Sequence, residues 1–440
     1  MIHASTLPMG EKIKQIRKAK GLSQENLAKA LGCSVAAVSR MESGEVACSD
    51  EMLVKIRTYM GLENAPLLDY ERGAFESKLL AWNEMLNENR VDEAKASEGH
   101  LSAIMALPFE HDLALLYSML SVRLILKEGN SSVALKKMEA AELLIDGAST
   151  EVRHLFYRNK GYMASLGGEV KRGAGYFLQA LDIGFGKLKA DPALFYLVGS
   201  TFLYQGKVMR AITYFEQADK MYNRSFTNHS ASVVKSVLVG CYLLINELEL
   251  AEKLASEALS QTQLLDHTSG YAFALLQTAA VYQSGGDSEK ALEYIERGLT
   301  AAAEGKLIPT DYTEAVFIGL YQKAGILLKR KNFDDLEKVL EQWEALANDA
   351  NGFEAYSIML KTFRHFVNLN NSTSVDYIEN TAIPSLMMMK SLRAMELARW
   401  ICDELEAYYR KKKSDKKANA IAAKSRDIYK SLLCGMDSIG

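Results

Sequence analysis

The chain has 440 residues and a formal net charge of −3; hydrophobic residues make up 48% of it and only six positions are proline. That hydrophobic share excludes a disordered chain, the length asks for several domains or a repeat array, and scarce proline favours long helices over a turn-rich β-sandwich. No stretch of 18 apolar residues occurs and the first ten residues lack a basic-then-apolar leader, so the expectation is a cytoplasmic protein without a membrane span.

Residues 1–62 hold nine basic and six acidic side chains, a net of +3 that leaves −6 for the rest, as in a small nucleic-acid module on an acidic body. Met9, Ile13 and Ile16 share a face of a first helix that Gly21 stops. Ser23 caps a second helix, with Asn26 at its third position and Leu27, Ala28 and Leu31 inward. Gly32 gives a tight turn, Ser34 caps a third helix over 35–41 with Val38 and Met41 inward, and Glu42-Ser43-Gly44 ends it. Asp50 is the expected cap of a fourth helix carrying Leu53, Ile56, Tyr59 and Met60. Residues 63–72, with Pro66, read as a linker short enough to couple residues 1–62 to 73–440 mechanically.

Short helices joined by a glycine turn are the helix-turn-helix pattern. The runs Leu22-Ser23-Gln24-Glu25-Asn26-Leu27-Ala28, Leu31-Gly32-Cys33-Ser34 and Val38-Ser39-Arg40-Met41-Glu42-Ser43-Gly44 resemble the phage-repressor (Xre/Cro) DNA-binding domain. The resemblance implies that the third helix enters the major groove of double-stranded DNA with Ser34, Val35, Ala36 and Arg40 toward base edges and Ala37 near the backbone. Arg40 is the one long donor there, suited to a bidentate guanine contact. Gln24 and Ser43 would then meet phosphates, and Lys12 and Arg17 would add nonspecific attraction.

Beyond the linker a spacing of about forty residues recurs. Phe202, Tyr242 and Tyr282 are 40 apart, as are Ala211, Ala251 and Ala291. The same register finds Ala94, Ala134 and Gly173 upstream and Leu336, Val375 and Ala418 downstream, nine helix pairs in all. The small residue lets the second helix of a pair pack closely on the first, and the aromatic is expected to fill the gap to the next pair. The spacing matches the tetratricopeptide (TPR) pattern, so the fold class expected is all-α: a helix-turn-helix domain followed by a TPR-like α-solenoid. First-helix residues would line its concave face: Arg123, Arg158, Tyr162, Tyr196, Ser200, Tyr204, Ser236, Gln283, Tyr321 and Arg364. The amides Asn159 and Asn228 lie nearby and could bond a peptide backbone. The basic run Lys411-Lys412-Lys413 with Lys416 and Lys417 falls at the turn of the last pair and reads as a solvated loop.

Catalytic patterns are missing. The five cysteines form no C-x-x-C, the seven histidines form no H-x-x-x-H, and no phosphate-cradling glycine loop occurs. No metal, cofactor or enzymatic activity is expected.

A repressor-type head followed by nine helix pairs resembles the RRNPP group of peptide-pheromone-sensing regulators of Gram-positive bacteria, most closely its NprR-type branch. The resemblance implies a quorum-sensing transcription factor. It would bind a pseudo-palindromic operator as a homodimer or higher homo-oligomer, under control of a short signalling peptide in the groove. Two alternatives stay open: a Rap-like scaffold that docks a response regulator, and a constitutive DNA-binding regulator with no peptide ligand.

Overall fold

The chain's regular elements are helical throughout the residues described by the computed structural model, which are 7–224, 228–264, 268–305, 307, 309–349, 354–367, 372–389 and 392–434. They divide into two units, Met1–Asp191 and Pro192–Gly440. None of the helices in the described residues is long and apolar enough to cross a membrane.

The head consists of α1 (Met9–Ala19), α2 (Gln24–Leu31), α3 (Val35–Ser43) and α4 (Asp50–Met60). Local chemistry sets their ends. The Ser23 hydroxyl accepts from the Asn26 N–H while the Asn26 side-chain oxygen accepts from the Ser23 N–H, a reciprocal capping box. Gly32 and Gly44 end α2 and α3 in the left-handed region, at φ 68° and 82°, where a Cβ would be strained. One cap differs from expectation. Ser49, not Asp50, caps α4 by accepting from the Met52 N–H, and Asp50 becomes its first helical residue, where a carboxylate suits the helix dipole.

Residues 63–68 are not a free tether. Leu62, Ala65 and Leu67 are buried in the same apolar core as Ile13, Ile16 and Ile56 of the head and Trp82 and Leu113 beyond it. Arg57 of α4 donates to the Ala65 carbonyl at 3.0 Å and pairs with Glu71. Coupling of head and body therefore comes from shared core as well as from a short connection.

The first unit continues with three helix pairs: α5 (Asp69–Asn87) with α6 (Val91–Leu101), α7 (His111–Lys127) with α8 (Ser131–Glu142), and α9 (Thr150–Leu166) with α10 (Val170–Ile183). A 3-10 turn, Ser102–Ala106, follows α6. The second unit begins with α11 (Pro192–Tyr204) and α12 (Val208–Arg224), then α13 (Asn228–Leu244) with α14 (Leu248–Leu264), α15 (Thr268–Ser284) with α16 (Ser288–Glu304), and α17 (Pro309–Lys329) with α18 (Phe333–Asp349). Then α19 (Glu354–Val367) faces a broken partner, α20 (Ser372–Tyr377), a π-helical turn Ile378–Ala382 and α21 (Ile383–Met389); α22 (Leu392–Lys411) and α23 (Asp415–Cys434) close the series. First helices of successive pairs pack side by side, α13 on α15 and α15 on α17, and α23 packs back onto α12 within the same unit.

All nine register positions fall on second helices, and Ala94, Ala134, Ala211, Ala251, Ala291, Leu336 and Ala418 are fully buried. At Val375 the phase slips. Its neighbour Ser374 is the buried residue, in a helix of only six residues that runs into a π turn. The recurrent aromatics also correct the expected packing. Phe202 stacks on Tyr214 and Tyr282 on Tyr294, each within its own pair, while the Tyr242 hydroxyl donates back to Glu216 of the preceding pair.

Candidate nucleic-acid interface and inner helix rows

The reading helix is set by its caps and by one buried carboxylate. The Ser34 hydroxyl accepts from the Ala37 N–H at 3.2 Å, which fixes where α3 begins. Val38, Met41 and Glu42 turn inward. The opposite face is open: Val35 is 42% exposed, and Ala36, Ser39, Arg40 and Ser43 are exposed beside it. Ser39 lies four residues after Val35 and next to Arg40, so it shares this face; helical spacing would have found it. The Ser43 hydroxyl donates to the Arg40 carbonyl at 3.0 Å. Ala37 is half-buried.

Glu42 ties three helices together. Arg17 of α1 grips it with two bonds, Nε to Oε1 at 2.6 Å and Nη2 to Oε2 at 2.9 Å, and Gln24 of α2 donates to Oε2 at 2.8 Å. Burial alone would raise the Glu42 carboxyl, but the hydrogen bonds from Arg17 and Gln24 outweigh it and hold it below its ordinary value. Arg17 also donates to the Leu22 carbonyl at 2.7 Å.

Two expected phosphate-attracting residues are therefore withdrawn from the surface. Arg17 is buried against Glu42, and Lys12 is buried with its Nζ on the Leu67 carbonyl at 3.1 Å and on Asp69 at 3.0 Å. Both cations have found long-range partners, and neither offers its charge to DNA. Gln24 is half-buried, its amide nitrogen engaged by Glu42.

The expected groove residues fall on first helices, but many are internal. In the first unit Arg123 of α7 and Arg158 of α9 meet on one carboxylate, Asp191, at 3.4 and 2.6 Å, and Arg123 also donates to Asn83 of α5. Burial would raise Asp191, yet the two guanidinium groups hold it down at about 2. Asn159 is fully buried and donates to the Met119 carbonyl at 2.9 Å. Arg123, Arg158 and Asn159 thus bind helix to helix, a correction to their reading as open groove side chains; the sequence held no signal for Asn83 or Asp191, which lie 40 and 68 positions from Arg123. Tyr162 is half-buried.

In the second unit Tyr196 is half-buried against the Phe215 ring, with centroids 5.5 Å apart. Burial raises its phenol, the Ser200 hydrogen bond opposes this, and the Glu314 carboxylate of α17 adds to it from three pairs further on. Tyr204 is 43% exposed; Ser200, Gln283 and Tyr321 are half-buried. The Ser236 hydroxyl bonds back to the Ser232 carbonyl at 3.0 Å. Arg364 does not join the row: it pairs with Glu337 and Glu344 of α18, at 2.9 and 2.6 Å. The Asn228 side chain lies outside the described residues. Gln322, which sequence reasoning missed, donates from α17 to the Leu276 carbonyl of α15 at 3.1 Å, as Asn159 does between α9 and α7.

Among the described residues no three His, Cys, Asp or Glu side chains gather as a metal site. Residues 13–63 match the helix-turn-helix family HTH_3. No curated protein matches the sequence. Among solved structures, the apo quorum sensor NprR from B. thuringiensis is similar with a TM-score of 0.64 at 16% identity, covering 82% of this chain and 99% of its own. A Rap protein complexed with Competence and Sporulation Factor gives 0.63 at 14% identity, over 82% and 98%. NprR in complex with its cognate peptide NprX gives 0.59 at 16%, over 80% and 98%. Residues 13–63 therefore match the helix-turn-helix family, and the chain carries the fold of NprR and Rap proteins.

Proposed function

We propose that this chain is a transcriptional regulator that binds operator DNA through α3 and is controlled by a short signalling peptide held on the first-helix rows. The observation that carries this reading is the pairing of an open reading face with a helical-pair fold that, in NprR, has been solved with a cognate peptide. Arg40 would supply the main base contact, Ser34 a second polar contact at the base edges, Val35 and Ala36 apolar contact to a thymine methyl, and Ser43 a hydroxyl for the backbone. So few polar readers call for two copies of the head on two half-sites, about 34 Å apart for one helical turn. The peptide must bind one arrangement of the helix rows better than another, or it shifts nothing.

Fluorescence anisotropy of the full chain on its own upstream DNA, with and without synthetic peptides from neighbouring small reading frames, tests both halves. A salt-sensitive affinity that moves with one peptide and loses sequence preference in Arg40→Ala is expected. Binding indifferent to every peptide overturns the peptide half; absence of sequence preference overturns the DNA half. The equally close fold of Rap proteins supports a second reading, docking of a response regulator, which a pull-down with the full chain would reveal.

A further inference from the structure

We infer that residues 185–191 act as a built-in occupant of the inner side of the first unit's helix row, and that a short peptide of the same chemistry can take their place. The inference deepens the peptide half of the reading above by naming one seat and one class of ligand. The segment reads Phe-Gly-Lys-Leu-Lys-Ala-Asp and follows α10. It crosses three first helices. Lys187 alone bridges two of them: its backbone N–H donates to Glu151 of α9 at 2.8 Å, and its ammonium pairs with Glu76 of α5 at 2.6 Å. Lys189 pairs with Glu84 of α5 at 2.5 Å, and Asp191 ends the crossing on Arg123 of α7 and Arg158 of α9. Since α5 packs on α7 and α7 on α9, while α6, α8 and α10 cover the other side of the row, the segment lies along the inner side.

The segment is held unevenly. Its apolar and acidic members are anchored: the Phe185 ring lies against that of His154, Leu188 is buried in the unit's core, and the Asp191 carboxylate is buried between its two guanidinium partners. Gly186, at φ 56°, lets the backbone settle on α9, where a Cβ would collide with the Glu151 carboxylate. The two lysines are gripped only at the surface. Their side chains are 62% and 72% exposed, so each ion pair contributes little. A link from α10 to the next helix has no need of α5, 111 and 105 positions back, yet both lysines reach it.

These contacts define the ligand that competes. It carries a carboxylate for Arg123 and Arg158, whose buried charges would otherwise lose their counterion. Three positions earlier it has an apolar side chain for the Leu188 site, with a cation on either side of that residue for Glu76 and Glu84. The tethered segment acts at an effective concentration on the order of millimolar, so a free peptide of this kind meets a closed seat until the segment's own hold is weakened. The helix α5 also carries Asp69 and Glu71, the partners of Lys12 and Arg57, so the exchange takes place on the helix that holds the head.

The test titrates a fluorescently labelled, C-terminally amidated peptide of residues 185–191 into the full chain. In a Lys187→Glu, Lys189→Glu double variant both exposed contacts turn repulsive while the core anchors stay. The probe should bind that variant about tenfold more tightly than the unaltered chain, and hydrogen exchange over 185–190 should quicken. A probe with asparagine in place of its aspartate should bind neither protein. Adding Glu76→Lys and Glu84→Lys to the double variant restores both pairs with the charges exchanged. Exchange over 185–190 should then slow again, which separates a freed segment from a damaged fold. Probe affinity no tighter in the double variant than in the unaltered chain, including no binding to either, overturns the inference, as does equal binding of the asparagine probe. That outcome leaves the second unit's rows as a seat for a signalling peptide. Conversely, operator binding blind to every neighbouring peptide leaves a positive result here standing, so the two failures are distinguishable.

Discussion

Lys12 of α1 reaches Asp69 at the start of α5 with its Nζ 3.0 Å from Oδ1, and the same ammonium donates to the Leu67 carbonyl at 3.1 Å. The lysine side chain is 5% exposed and the aspartate 66%. The stronger part of the contact is therefore the bond to the buried carbonyl, since an exposed carboxylate is well screened. Lys12→Ala should leave the Leu67 carbonyl without that donor and destabilise the junction of head and body by about 1–3 kcal/mol, while Asp69→Asn should cost under about 1 kcal/mol. Limited proteolysis across residues 62–68 reads the difference. Equal cleavage of the two variants and the unaltered chain would show that the contact does not hold the junction.

A larger effect is expected at Glu42. Its side chain is 2% exposed and that of Arg17 9%, so removing one partner leaves a buried charge without its counterion. Glu42→Ala should cost about 3–5 kcal/mol, whereas the double change Arg17→Met with Glu42→Leu should recover most of that loss. Circular dichroism melts of the two proteins decide the matter. Operator binding should fail in Glu42→Ala because α3 loses its tie to α1 and α2, with no base contact altered. Equal stability of single and double variants would mean that Arg17, once deprived of Glu42, is satisfied by solvent.

These two cations also show where reading from sequence stops. The helical period placed Met9, Ile13 and Ile16 on one face, and the register residues of the helix pairs, Val375 apart, were legible from spacing alone. Lys12 and Arg17 flank that apolar face, one position to either side of Ile13 and Ile16, where a long side chain can equally reach water or a partner. The partners, Asp69 and Glu42, lie 57 and 25 residues away, beyond any local pattern. Three of the expected groove residues, Arg123, Arg158 and Asn159, turned inward for the same reason. Spacing put Arg123 and Arg158 on first helices, but Asp191, which draws both inward, carries no periodic signal.

The first unit should lose stability in acid in two steps. His154 is buried, its Nδ1–H donating to the Ala180 carbonyl at 2.9 Å and its ring 4.5 Å from that of Phe185. Burial pushes it down from 6.5 to about 4, so the unfolded chain takes up a proton that the fold refuses. The resulting stabilisation is complete above pH 6.5 and is lost as pH falls toward 4, about 3 kcal/mol in all. Asp191, held at about 2 against an ordinary 3.8, adds stabilisation that is complete above 3.8 and lost as pH falls toward 2. Hydrogen exchange in α9 and α10 over pH 7 to 4 follows the first step. His154→Gln keeps an N–H donor for Ala180 and should flatten it; the same pH dependence in that variant would assign the loss elsewhere.

Two glycines in one helix give a sharp test of the close packing that the repeat register demands. A Cβ on Gly173 of α10 would come 2.9 Å from the Gly161 carbonyl oxygen of α9 and 2.4 Å from the Ser165 hydroxyl. The hydroxyl can rotate away, but the backbone carbonyl cannot. Gly175, two residues on, is exposed and would meet nothing within 4 Å. Gly173→Ala should therefore force α9 and α10 apart at a cost of about 1–3 kcal/mol. Gly175→Ala adds helix propensity without contact and should stabilise by up to about 1 kcal/mol. The signs are opposite, so thermal unfolding of the two variants side by side needs no absolute scale. A Gly173→Ala protein as stable as its Gly175→Ala counterpart would mean that the helix pair has slack at the register position. The small residue there would then reflect something other than contact between the two backbones.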